Sequence, residues 1–199
     1  MKTRTLAVLL FTCMLLLVAG LAAAAQDKSA GKEVAKQDKL LTVVQDEKSM
    51  EQTIARYLRT AHSLIVDEKY APKDPEDLYL ELPYKGDPMP KFRITVDSQP
   101  LNRDKNSNKV IERGVLINLY TDVRVPKDKT DAAMVAINEW NRKKAFSSIY
   151  IDTDGEVICC WILNVLNDGL ATEYVYDAVA RVQNIWKGLY PSLSEAIGS

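Results

Sequence analysis

Apolar positions fall into three kinds of pattern along the chain. The first is an unbroken apolar run from Leu6 to Ala25 with no charged residue. Lys2 and Arg4 precede it, and the polar Gln26-Asp27-Lys28 follows. A basic start, an apolar middle and a small-residue end follow the order of a secretory signal peptide, so residues 1–25 read as a leader. Ala23 and Ala25 place the cleavage between Ala25 and Gln26. The expected location is therefore periplasmic or extracellular. The run is also long enough to span a bilayer, so an uncleaved leader is the one expected route to a membrane. Cys13 lies in the middle of the run, not at its end, which excludes a lipoprotein reading.

Residues 26–47 are polar and lysine-rich apart from the short Leu40-Leu41-Thr42-Val43-Val44 patch, and they read as a tether. Helical spacing begins next. Ser49 with Gln52 fits a capping box, and Ile54, Tyr57, Leu58, Ala61 and Ile65 recur at intervals of three and four, predicting a helix that ends near Val66. After the proline-punctuated APKDPED stretch the period changes to two. Leu78–Leu82, Phe92–Val96 and Val115–Tyr120 predict strands, with residues 98–109 as a polar, mobile loop between the last two. Thr130 or Asp128 can cap a second helix with Ala133, Met134, Ile137 and Trp140 on one face. Ser148–Asp152 and Glu156–Asn164 predict a hairpin turned at Asp154-Gly155. A last helix begins near Thr172, buries Val175, Val179, Val182 and Trp186, and is expected to stop at Gly188 before Pro191. The order α-β-β-β-α-β-β-α predicts an α+β domain over residues 48–190: an antiparallel sheet of about five strands with helices on one face, and a tail at 191–199.

Composition and charge narrow what such a domain does. Apolar residues make up 47% and charged residues 27%, which is globular rather than disordered. The net charge is −1, or −3 once Lys2 and Arg4 leave with the leader. No excess of Lys and Arg is available to hold nucleic acid. The adjacent Cys159 and Cys160 point to opposite faces of a strand and read as one buried and one half-buried thiol, not as a disulfide. His62 is the one histidine, and a helix-packing role fits it better than catalysis. Neither a phosphate loop nor a zinc ligand set can be assembled, and no cofactor is expected. Asp152-Thr153-Asp154-Gly155-Glu156 has the spacing of a hairpin turn, not of a calcium loop. Asp74 with Glu76 or Asp77 lies in a polar loop without an apolar setting to separate the pKa values of an acid–base pair.

The proline before a helix in VPKDKTDAAM, the run Asn138-Glu139-Trp140-Asn141, the hairpin SSIYIDTDGEVICCWILNVL and the step Asn167-Asp168-Gly169-Leu170 resemble the YbjN-type family of bacterial sensory transduction regulators. The resemblance spans residues 126–186 and, with the earlier strands, about 48–189. It implies a fold similar to type III secretion chaperones, often paired into homodimers that hold an extended polypeptide client. Asn138, Asn141 and Trp140 are the positions it offers as partner or ligand contacts; the residues alone favour helix-end hydrogen bonding and core packing. The resulting expectation is an exported, non-catalytic binding module, protein-binding or chaperone-like. The alternatives are a structural envelope protein and an enzyme with an unrecognised carboxylate and asparagine site.

Overall fold

The computed structural model describes residues 40–198, apart from 73, 85–89 and 144–146 and the side chains of Pro75 and Glu76. The leader, its cleavage point, Cys13 and residues 26–39 lie outside the described residues. A short strand β1 (Leu40–Leu41) precedes helix α1 (Glu47–His62). Strands β2 (Asp67–Ala71), β3 (Asp74–Tyr84), β4 (Phe92–Arg103) and β5 (Val110–Arg124) follow. A 3-10 turn at Lys127–Lys129 leads into α2 (Thr130–Lys143). Then come β6 (Ser148–Ile151), β7 (Glu156–Val165), β8 (Leu170–Ala171) and α3 (Glu173–Ile197). Six strands form one antiparallel sheet in the order β2-β3-β4-β5-β7-β6, and β1 pairs separately with β8.

This is the expected α+β architecture with one strand more in the sheet. The extra strand, β2, reads DEKYA and is exposed along most of its length, so it carries no alternation for a period-two search to find. Charge on an edge strand is a common protection against edge-to-edge pairing.

The core lies between the sheet and its helices. Along β4, Phe92, Ile94, Val96 and Ser98 face inward. Along β5 the inward set is Arg113, Val115, Ile117, Leu119 and Thr121. Helix α1 packs on β3 and β4 through the fully buried Met50, Ile54 and Leu58. Helix α3 packs on β5 and β7, and α2 on β6 and α3. Each large side chain taken out of water contributes about 1.5–3 kcal/mol.

Several boundaries differ from the pattern reading. Asp46, not Ser49, caps α1: its Oδ1 accepts the Ser49 N–H at 2.7 Å, and its Oδ2 accepts the Ser49 hydroxyl at 3.0 Å. The helix closes at Ser63 in the left-handed conformation (φ 54°). The chain therefore turns away before Ile65, which is 72% exposed, and Val66 is buried instead. The loop expected at 98–109 shrinks to 104–109, because β4 and β5 run on through register shifts around Asn102. Asp104 Oδ1 organises that tip by accepting the Asn106 and Ser107 N–H groups and the Ser107 hydroxyl, which holds its carboxyl below the usual range. Within the stretch expected as tether, Leu41 is fully buried and Val43 nearly so.

The expected tail is helical. Helix α3 continues to Ile197, with Leu189, Leu193 and Ile197 extending its buried stripe past Pro191. Proline removes the N–H that would meet the carbonyl of Lys187, but both residues are exposed, so water can take that carbonyl. Gly188 does not end the helix; it seats a tryptophan. A Cβ built at Gly188 would overlap the Trp140 ring, lying 2.8 Å from Cζ2. In an open helix Gly→Ala stabilises by up to about 1 kcal/mol. Here Gly188→Ala is expected to destabilise by about 1–3 kcal/mol because the indole must move. Chemical denaturation fixes the sign, and a stabilised variant would show that the ring yields freely.

Candidate functional site

The three residues singled out by the resemblance separate in space. Asn138 is exposed on α2. Trp140 packs against Gly188 at the α2–α3 contact, as the apolar spacing of α2 implies. Asn141 bridges helix and sheet. Its Nδ2 donates to the Ile149 carbonyl and its Oδ1 accepts the Ile149 N–H, both at 2.9 Å. One amide thus satisfies both outward backbone groups of Ile149 on the edge strand β6. Trp186 is fully buried, and Trp161 is partly buried with Arg181 5.6 Å over its ring. The three tryptophans form no common surface. His62 is a packing residue, stacked on Tyr176 at 3.5 Å with Tyr57 edge-on. Cys159 is buried and Cys160 half-buried, both free, and burial raises both thiol pKa values. The hairpin turn forms at Asp154-Gly155 with Gly155 at φ +84°. Asp152 Oδ1 there accepts the N–H groups of Asp154 and Glu156.

The most unusual chemistry sits three strands away from β6, where α1 crosses β4. Glu51 occupies the apolar stripe of α1 and is fully buried. Its Oε1 accepts the Ser98 N–H at 2.9 Å and the Ser98 hydroxyl at 3.1 Å. Its Oε2 is buried without a hydrogen-bond partner. Asp97 lies close enough for the two carboxyls to share a proton, and a protonated Oε2 finds its acceptor there. Burial is the main cause of the raised pKa of both groups, with Asp97 raising Glu51 further and Asp77 raising Asp97. Like charges in a poorly hydrated place favour the neutral form.

Beside this pair, Arg113 is 8% exposed. Its Nε donates to the Val43 carbonyl at 3.2 Å, and its Nη1 stands 3.9 Å from Glu47 Oε1. Glu47, Asp77, Asp97, Ser98 and Arg113 line a cleft of about 920 Å³ at this end of the sheet. Asp77 and Asp97 also line a groove of about 320 Å³ with Tyr79, Arg93, Asn118 and Tyr120. That groove lies on the sheet face turned away from the helices. Register places Arg93 opposite Tyr120 and Thr95 opposite Asn118 there, and Arg93 sits 4.7 Å over the Tyr120 ring. Farther along the same face Tyr150 and Ile162 are 41% and 50% exposed.

None of Glu51, Asp97 or Arg113 was picked out from residue spacing, and Asp77 was assigned to a loop without an apolar setting. The signal was a polar residue at an inward register: Glu51 within the stripe 51-54-55-58, Ser98 after Phe92-Ile94-Val96, and Arg113 before Val115-Ile117-Leu119. Asp77 stands on β3, not in a loop, and it meets Asp97 across the cleft wall.

Residues 110–195 match the family model YbjN, described as "Putative bacterial sensory transduction regulator". This part of the chain, less than half of the whole, is similar to the YbjN type. The match covers β5 to most of α3, including Asn138, Trp140, Asn141 and Arg113. Glu47, Glu51, Asp77 and Asp97 lie before the matched YbjN segment, which begins later than the expected residue 48. No curated protein matches the chain.

Proposed function

We propose that the chain is an exported, non-catalytic binding module that holds a polypeptide on the open face of its sheet. The single observation carrying this reading is the groove of Tyr79, Arg93, Asn118 and Tyr120, continuous through Asp77 and Asp97 with the cleft. Backbone amides of an extended segment find hydrogen-bonding side chains there, and Tyr120, Tyr150 and Ile162 offer apolar contact. A chaperone-like role, with a client segment or a second copy of the chain as occupant, follows from the same face. A regulator acting through a protein partner is compatible with it.

The enzyme alternative rests on the Glu51–Asp97 pair, since carboxyls of raised pKa are common in catalytic sites. Glu51 has no exposed surface and its Oε1 is held by Ser98, so a guest meets the pair only through Asp97. The cleft and groove also favour binding over a purely structural envelope role. Export follows from the leader, with cleavage between Ala25 and Gln26 releasing the domain into the periplasm or medium.

Photo-crosslinkers at Tyr150 and Ile162 test the face against one at Lys187 on the helices. A polypeptide adduct at the two sheet positions and none at Lys187 supports the reading. An adduct of twice the chain mass names a second copy as the occupant. Equal labelling at all three positions sinks it. Intact mass of the chain from the envelope fraction, beginning at Gln26, tests export; an uncleaved cytoplasmic chain overturns that part.

A further inference from the structure

Arg113 and Glu51 are buried polar side chains that the fold brings together from sheet and helix. Ser98, whose N–H and hydroxyl both donate to Glu51 Oε1, stands opposite Val115 on β5. Arg113 is the next inward residue of β5. It is therefore a diagonal neighbour of Ser98, a separation that a long side chain spans. Its Nη1 is buried without a hydrogen-bond acceptor, because Glu47 Oε1, at 3.9 Å, is too far to bond. Glu47 and Glu51 are four apart on α1 and so are neighbours on one helix face. A swing of the Arg113 side chain along that face exchanges one carboxyl for the other.

At present the guanidinium fastens the amino-terminal strand. Its Nε donates to the Val43 carbonyl at 3.2 Å and ties the link between β1 and α1 to β5. β1 itself is short, paired with β8 through Leu40↔Ala171 and Leu41↔Leu170.

A proton decides which carboxyl is the better partner. While Glu51 is neutral and hydrogen-bonded to Asp97, it offers Arg113 little. Once the proton leaves, Oε2 is a buried, charged acceptor without a donor, a costly state that a guanidinium relieves. The charged groups facing the Glu51–Asp97 pair are Glu47 on α1, Asp77 on β3 and Arg113 on β5. The other cations of the cleft are placed for other work: Arg103 donates to the Asn108 carbonyl at 3.1 Å, and Lys48 is exposed.

We propose that Arg113 is a two-position latch: with the pair protonated it holds the Val43 carbonyl, and with the pair ionised it turns to Glu51 and lets β1 leave β8. The locked position keeps a proton that the released one gives up. It therefore prevails at low pH and yields as pH rises through the raised range of Glu51. Release uncovers Leu41, which the locked position keeps fully buried.

The test is methyl NMR of the full-length chain at pH 6 and pH 9, following the contact between the register partners Leu41 and Leu170. That contact should be present at pH 6 and lost at pH 9, with a midpoint at or below about 8. Contacts between Ile94 and Leu119, partners on β4 and β5, should persist throughout. Glu51→Gln, which mimics the protonated form, should retain the Leu41–Leu170 contact at pH 9. Arg113→Gln should make it insensitive to pH. A wild-type contact that survives at pH 9 overturns the latch, as does its loss together with the Ile94–Leu119 contact, which is general unfolding. A loss that persists in Glu51→Gln or in Arg113→Gln overturns it as well.

Discussion

Between pH 5 and pH 8 the unfolding free energy of the wild-type chain should fall by about 5 kcal/mol, and Glu51→Gln should remove most of that fall. In the folded chain burial pushes the Glu51 carboxyl up to about 8 and that of Asp97 to about 6. Unfolded, both return to the ordinary carboxylate range. Across the interval between, the folded state holds protons that the unfolded state has lost. Their contribution is complete below the unfolded pKa and disappears as pH rises through the folded one. A glutamine reproduces the protonated form, accepting from Ser98 through Oε1 and donating from Nε2 toward Asp97. The variant should match wild type near pH 5 and exceed it above pH 8. Glu51→Ala should be weaker than wild type at pH 5, since it leaves the Ser98 N–H unpaired and a cavity behind it. Urea unfolding at pH 5, 6.5 and 8.5 decides the matter. Parallel pH curves for wild type and Glu51→Gln would show that Glu51 is ionised in the fold.

The second large effect is expected at Leu41, in a segment whose polarity suggested a tether. Leu41→Ala should cost about 2–5 kcal/mol, the range for a buried leucine whose site cannot collapse. Val44→Ala, at a residue 73% exposed three positions on, should cost almost nothing. Leu41 is fully buried, β1 pairs with β8 at Leu41↔Leu170, and the next inward residue, Val43, lends its carbonyl to Arg113. Gly169, at φ +78°, lets β8 come close: a Cβ there would stand 2.8 Å from the Leu41 carbonyl. Equal, small losses at Leu41 and Val44 would mean that the segment detaches freely from the domain.

Where burial alternated cleanly, the elements were legible from the chain alone. Phe92-Ile94-Val96 and Val115-Ile117-Leu119 announce central strands, and Asp154-Gly155 announces a turn, because each depends on local chemistry. What stayed hidden depends on partners distant in sequence. DEKYA becomes a strand only because β3 lies beside it. Gly188 and Pro191 signal a helix end, yet Trp140 needs the glycine, and the stripe from Val175 to Ile197 carries the helix past the proline. The candidate cleft was least legible of all. Glu51 and Ser98 are 47 positions apart, and nothing local marks a glutamate on a helix as buried. Asn138, Trp140 and Asn141, by contrast, stood out as a run, and two of them are committed to packing and to Ile149.

The amide of Asn141 has a consequence for how copies of this chain can meet. Ile149 has spent its outward N–H and C=O on that side chain, so a neighbouring strand arriving at β6 would find those groups taken. On the opposite side β2 presents Asp67, Glu68 and Lys69 in exposed positions, and charge of both signs there discourages a neighbouring strand. The two edges of the sheet are thus guarded by different means, one by a side-chain amide that occupies the backbone and the other by charge.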